Sequence, residues 1–435
     1  MTASPPSESL APPPGFRQRA LALFPAGSNG EYGIPEDQVP ILARGKGPRV
    51  WDTGGREYLD FTMAWGSALV GHARPEVVEA AGRQARDGIN FAAVNRRSVE
   101  LAERLQSLSP CLERVRFVAS GTEATMLCLR VAQAATGRAK VLKFEGAYHG
   151  QHPVGVTSML NGRPSRMPAS DPSGAGAAWV ERDVLVAPFN DLATTTQILE
   201  SHAAELAGVI VEPLHRCLTP APEFLSGLRA VTARLGMVLV FDEVVTGFRL
   251  APGGAQQYYG VTPDLVAYGK ALGGGYPIGA YGGRADLMEV VNEHRLPGPG
   301  YAWSASTTGG NPVSCAAALA ALEIFCDPQC HPALHTAGRL LRRLLGDALA
   351  SEGVAGQVLG DGPLAQVAFS PTPVVDQKTW LASDRRRGRA VMLELLRLGV
   401  FLNPMGTKLY LSCEHTAADI EEFAARFRQA LRATQ

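Results

Sequence analysis

From Val115 onward, short apolar runs alternate with helical stretches, and this alternation constrains the fold more than any other feature of the chain. RVRFVAS precedes TEATMLCLRVAQAATG. AKVLKF, DVLVAPF and GVIVEPL follow, and a helical pattern near 223 to 234 leads into MVLVFDEV and then DLVAYGK. Strands that are apolar throughout are buried on both faces, so the pattern predicts an α/β fold with a mostly parallel central sheet covered by helices on both sides. In such a sheet the functional side chains gather at the carboxyl ends of the strands.

The flanking segments read differently. RVWDTGGREYLDF (Arg49 to Phe61) sets two short apolar runs around Asp-x-Gly-Gly, a hairpin signature. Residues 75 to 90 and 98 to 108 carry apolar side chains at helical spacing, with Val99, Ala102, Leu105 and Leu108 expected on the inward face. From Pro312 a long helical pattern (PVSCAAALAALEIF), a second helix near 333 to 350, short strands and the helix AADIEEFAARFRQAL predict a smaller α+β domain. The expected organisation is a disordered Pro/Ser-rich tail over 1–15, an N-terminal segment over 16–75 packing with the small domain, a large domain over 76–311, and the small domain over 312–435.

Charge and cysteine content narrow the function. The 41 basic and 41 acidic residues cancel, so no net field favours nucleic acid or an anionic membrane, and small, near-neutral substrates are expected. No uncharged apolar stretch reaches membrane-spanning length, and MTASPPSESLAPPPG lacks a basic segment followed by an apolar one, so a cytoplasmic protein is expected. The seven scattered cysteines suit a reducing compartment. Cys326-x-x-x-Cys330 has no second pair at zinc spacing and His149-x-x-His152 has no carboxylate in helical register, so no metal is expected.

Three places carry chemistry. Ser120-Gly121-Thr122-Glu123-Ala124 lies between an expected strand and an expected helix, where unpaired N–H groups and the dipole attract an anion and Gly121 permits close approach. The same residues could also form an ordinary helix cap. Asp242 and Glu243 close the apolar strand Met237 to Phe241, either as working carboxylates or as residues turning out to solvent. Lys270 stands where another apolar strand meets a Gly-rich turn. One phosphorylated aldehyde cofactor, pyridoxal 5′-phosphate, needs all three: an anion cradle, a carboxylate for its ring nitrogen and an amine for its Schiff base. Lys270 would then also serve as the base that moves a proton on the substrate.

The order SGTEA, FEGAYHG (Phe144 to Gly150), VEP with Glu212, FDEVVTGFR (Phe241 to Arg249), PDLVAYGKALGGGYPIGAYGGR (Pro263 to Arg284) and STTGGNP (Ser306 to Pro312) resembles the class III aminotransferases. Within them it is most similar to the branch of glutamate-1-semialdehyde aminomutase and the β-amino acid aminotransferases. The resemblance implies the fold type I of pyridoxal-phosphate-dependent transferases and a homodimer whose cofactor site is shared across the interface. It implies that Ser120, Gly121 and Thr122 bind the cofactor phosphate and that Tyr148 and Val244 cover the two ring faces. It further implies that Asp242 meets the ring nitrogen, Lys270 forms the Schiff base, and Thr307 reaches the phosphate of the neighbouring subunit.

The specificity positions depart from the family. PAGSNGEYGIP (Pro25 to Pro35) has no arginine where the aminomutase binds its substrate carboxylate; Glu31 and Tyr32 stand there. LNPMGTKLYLS (402 to 412) places Met405 and Lys408 where the β-amino acid enzymes carry an arginine, and Thr407 about where the aminomutase has an acidic gating residue. Glu31, Tyr32, Trp65 and Met405 are therefore the expected substrate contacts; a substrate presenting hydroxyls, an aromatic ring or a cation to Glu31 and Tyr32 is expected, with Arg216, Lys408 or Arg249 as the alternative partners of a carboxylate. The leading expectation is a transaminase exchanging an amino group between a small amine and a keto or aldehyde acceptor. An intramolecular aminomutase or epimerase comes second, and a non-catalytic cofactor-binding protein third.

Overall fold

The computed structural model describes residues 15–25, 34–35, 37–158, 182–296, 298, 300–402 and 406–435. Residues 1–14 of the expected tail and the expected contacts Glu31, Tyr32 and Met405 lie outside the described residues.

The described residues form three sheets. β1 (Leu42–Lys46), β2 (Arg49–Asp52) and β3 (Glu57–Asp60) come first, followed by β4 (Arg114–Val118), β5 (Lys140–Phe144), β6 (Val184–Ala187), β7 (Leu206–Val211), β8 (Val238–Asp242), β9 (Leu265–Tyr268) and β10 (Gly279–Gly283). β11 (Gln357–Leu359), β12 (Leu364–Ala368), β13 (Val400–Phe401) and β14 (Lys408–Tyr410) complete the set. The large sheet has seven strands in the order β4-β10-β9-β8-β7-β5-β6. Its neighbours run parallel from β9 to β6, while β10 lies antiparallel to both β9 and β4.

Side-chain alternation explains why this sheet is covered twice. Val238 and Val240 join Val141, Ile210 and the apolar face of the helix Gly121–Thr136, whereas Leu239 and Phe241 join Phe144, Val209 and the helix Phe224–Arg234. A strand with apolar residues on both parities can be solvated on neither face. The next residue with the parity of Val238 and Val240 is Asp242, on the side of Gly121–Thr136.

β10 was not foreseen, because GAYGG has none of the β-branched character that marks a strand. Its glycines make it possible: a Cβ on Gly282 would come within 2.1 Å of the Arg114 carbonyl oxygen, and one on Gly279 within 2.3 Å of the Ser120 carbonyl oxygen. Only bare backbone fits that close to β4 and the start of the helix behind it.

Around Asp52-Thr53-Gly54-Gly55 the hairpin forms as expected, with the Asp52 carboxylate accepting from the amides of Gly54 and Arg56. β3 then pairs in parallel with β13, so residues 57–60 share a sheet with residues 400–401. Helices occupy Pro75–Arg86 and Arg96–Leu108, and on the second Leu105 and Leu108 face the core as expected while Val99 does not. Leu101 and Leu105 are buried against the helix Pro312–Phe325, while Val99 is 44% exposed. The capping box of Asn95 with Ser98 starts this helix, and packing of Leu101 and Leu105 on Pro312–Phe325 leaves Val99 outward. Beyond Pro312, Cys330–Ser351, Arg385–Arg397 and Ala417–Ala433 surround a second core of Leu341, Leu345, Val391, Ile420, Phe423 and Phe427.

Candidate active site

The parallel strands all end on one side, and the loops leaving them carry the expected chemistry. Ser120 caps the helix Gly121–Thr136: its hydroxyl oxygen accepts from the Glu123 amide at 3.2 Å, and Glu123 reaches back to the Ala119 amide at 2.9 Å. The capping reading of this motif is thus realised, and the Ser120 hydroxyl is engaged in it. The amides of the first turn still face outward, as they do at any helix start.

Glycines bring the neighbouring loops onto that turn. A Cβ on Gly121 would sit 2.8 Å from both methyls of Val244, one on Gly269 would sit 3.2 Å from the Gly121 Cα, and one on Gly150 would sit 2.7 Å from the Thr122 Cα. The loops after β5, β8 and β9 therefore converge on the helix N-terminus, forming a cradle that larger residues would fill.

Lys270 follows Gly269 directly. Its backbone is left-handed, with φ +43°, a strained choice for a residue with a side chain and common at functional sites. Burial pushes its amine down to about 8; Asp242 opposes that shift, while the positive charges of Lys408 and Arg216 add to it. An amine poised there is far more often neutral, and so nucleophilic, than a solvated lysine.

Asp242 ends β8, 5% exposed. One carboxylate oxygen accepts from the Val244 amide at 3.0 Å, and the other lies 2.7 Å from His149 Nδ1. His149 is itself buried; among the described residues its Nε2 has no hydrogen-bond partner, and its carbonyl accepts from the Thr125 hydroxyl. The sequence reading weighed His149 only as a metal ligand and missed this pairing, although it adjoins Tyr148. Contact across 93 positions leaves no local signal.

The loop after β5 is anchored from beneath. Lys143, on β5 and fully buried, donates to the carbonyls of Ala147 (2.9 Å), Gly155 (3.0 Å) and Thr157 (2.6 Å). Those acceptors match the N–H groups of one ammonium, even though burial pushes the amine down to about 7. Glu212, at the end of β7, accepts from the Tyr148 amide at 2.9 Å and the Arg216 amide at 3.2 Å. Burial acts to raise its carboxyl, but the charges of Arg216, His215 and His149 outweigh burial and hold it well below the usual carboxylate range. Glu243 has a different task. It accepts from the amides of Ala255 (2.6 Å) and Gln256 (3.1 Å), the start of the short helix Gly254–Tyr259, and is a turn residue.

Of the remaining expected residues, Trp65 lies in the turn Met63–Gly66, which packs against Lys270–Gly273, whereas Thr307 lies on an exposed segment. Trp65 is half-buried in a turn where Met63, Ala64 and Trp65 are all left-handed. Gly66 of that turn offers its carbonyl to Arg249. Thr307 is exposed, and its carbonyl accepts from Asn90 Nδ2 at 2.9 Å.

These residues fit pyridoxal phosphate: a glycine-lined helix N-terminus for the phosphate, a buried amine, and a carboxylate fixed at both oxygens. Residues 34–431 match the family model of class-III aminotransferases. The glutamate-1-semialdehyde 2,1-aminomutase of Desulforudis audaxviator is 40% identical, over 90% of each chain. That of Thermodesulfovibrio yellowstonii is 35% identical, over 93% of this chain and 95% of the relative. Among solved structures, an omega-transaminase from Sphaerobacter thermophilus superposes with a TM-score of 0.89 at 36% identity, covering 96% of each chain. A β-phenylalanine aminotransferase from Variovorax paradoxus superposes with a TM-score of 0.85 at 32% identity, over 96% of this chain and 92% of the other.

Proposed function

We propose, from the premise that this chain belongs to the class-III aminotransferases, that it is a transaminase moving an amino group between a small amine and a keto or aldehyde acceptor. Its fold is type I of the pyridoxal-phosphate-dependent enzymes, and its cofactor is pyridoxal phosphate. The observation that carries the reading is the meeting of Lys270, the Asp242–His149 pair and the glycine-lined helix N-terminus at the ends of parallel strands.

Pyridoxal phosphate supplies an aldehyde for amine exchange and a ring that withdraws electrons from the bond being broken. The protein does the rest. First-turn amides at Gly121 and Thr122 would hold the phosphate, and Tyr148 and Val244 would cover the two faces of the ring. Asp242, kept in place by His149 Nδ1 and the Val244 amide, holds a proton on the ring nitrogen. Lys270 would move a proton between the substrate carbon and the C4′ carbon of the cofactor, a role suited to an amine lowered to about 8.

Intramolecular amino transfer is the second reading, favoured by the names of the curated relatives. An aminomutase must retain its intermediate while a transaminase must release a product, and the gate expected near Thr407 is not acidic here. The Thr407 side chain is buried and donates to the Val367 carbonyl, which ties it to the neighbouring strand. Turnover that requires a separate keto acceptor supports the transaminase; full turnover of a single amino-aldehyde substrate with none added overturns it.

A homodimer with a shared site belongs to the same proposal. Phe91, Val94 and Trp303 are exposed near Thr307, and Asn90 ties the two segments together. An apolar patch of this kind is usually covered. Sedimentation of a dimer supports it; a fully active monomer refutes it.

A further inference from the structure

We infer that Arg216, with Lys408 adding its charge, docks a carboxylate of the substrate, so that the exchanging partners are amino and keto acids rather than plain amines. The inference rests on the transaminase reading and names the substrate class of that site.

Arg216 leaves β7 four residues after Glu212, in a left-handed conformation with φ +62°. Its stem is held: the amide donates to Glu212, Nε donates to the Gly146 carbonyl at 3.0 Å, and the guanidinium lies 5.9 Å from the centre of the Tyr148 ring. Its end is not held. Among the described residues no group accepts from the two terminal nitrogens, and a third of the side chain is exposed beside Tyr148. Glu212 offsets part of its charge but does not occupy its terminal nitrogens, because its approach is 4.0 Å to Nε and the carboxylate accepts from the amides of Tyr148 and Arg216. A planar fork with its outer N–H groups unengaged suits a carboxylate held by two parallel hydrogen bonds.

The surroundings favour the same ligand. Lys408, on β14, is 8% exposed with Nζ 5.1 Å from the centre of the Tyr410 ring, and its field reaches both Glu212 and Lys270. Two carboxylates, Glu212 and Asp242, balance these two cations in charge, but their oxygens already have hydrogen-bond donors within the protein. Arg249, the other candidate, is not available. It is fully buried and donates to the carbonyls of Val245, Leu411 and Gly66. A guanidinium whose outer N–H groups meet no acceptor among the described residues favours a carboxylate over an uncharged group through paired, charge-assisted hydrogen bonds.

The test uses the holoenzyme and matched pairs in which a methyl replaces the carboxylate: alanine against isopropylamine, and β-phenylalanine against 1-phenylpropylamine. Half-saturation is read from the visible absorbance change and turnover, and binding of propionate and 3-phenylpropionate is read by calorimetry. Arg216→Gln is expected to weaken the acids roughly 10- to 100-fold while leaving the matched amines within about twofold. Arg216→Lys should recover part of the loss, and Lys408→Met should give a smaller loss of the same selectivity. Equal weakening of acids and amines, or wild-type binding no better for acids, overturns the inference. If amines turn over but carboxylates do not bind, the clamp alone fails. If carboxylates bind through Arg216 but no amine reacts, the transaminase reading fails and the clamp stands.

Discussion

The carboxyl end of the large sheet and the core around Phe423 are built on opposite principles. The second is apolar: Leu341, Leu345, Ile420, Phe423 and Phe427 pack together, and the helix Ala417–Ala433 begins at a regular capping box between Thr416 and Asp419. The first buries Lys143, Glu212, Asp242 and Lys408 and holds Arg216 and Lys270 in left-handed backbone. Each buried charge and each strained residue costs stability unless its surroundings hold it. What the difference teaches is that one region is optimised to stay folded, while the other is held in an unfavourable state because its chemistry needs it.

The comparison can be broken by substitution. Lys270→Ala should lower turnover by at least about a thousandfold and abolish the visible band, while the melting temperature of the apoprotein stays within a few degrees of wild type. A large loss of apoprotein stability would mean that Lys270 is structural. Phe423→Ala should do the reverse, costing about 4 kcal/mol in denaturant unfolding while leaving KM unchanged in the protein that remains folded. Lys143→Met lies between the two. It strands the carbonyls of Ala147, Gly155 and Thr157 and should cost about 3 kcal/mol, with faster amide exchange confined to residues 145–157. Exchange that is uniformly faster would remove the distinction between the regions.

The smallest effect concerns pH. Only a neutral amine attacks an aldehyde, and burial sets the Lys270 amine near 8 rather than the ordinary lysine value. Because the pKa is lowered, the reactive form is populated once pH rises past that value. The rate at which the apoprotein captures pyridoxal phosphate should therefore climb through about pH 8 and level off above it. A climb continuing beyond pH 10 would show that the site does not desolvate the lysine.

Much of the fold was legible because its signals are local. The strands from β5 to β9 announce themselves as apolar runs, and Asp242 and Lys270 stand out as charges at their ends. β10 was not legible, since a glycine strand exists only where two neighbours leave no space for side chains. Val99 was placed on the wrong face because several phases of an apolar pattern fit one short helix, and the neighbouring helix selects among them.

The site divides along the same line. By itself the sequence determined the α/β alternation, the strand-end positions of Asp242 and Lys270, and the motif order that places the chain in its family, all written in neighbouring residues. Only the tertiary structure decided that His149 steadies Asp242, that Lys143 ties down the loop beneath Tyr148, that Glu243 caps a turn while Glu212 holds Tyr148 and Arg216, and that Arg249 is scaffold. The reason is physical. The role of a buried polar group depends on which partner satisfies it, and those partners meet only when strands far apart in sequence end side by side.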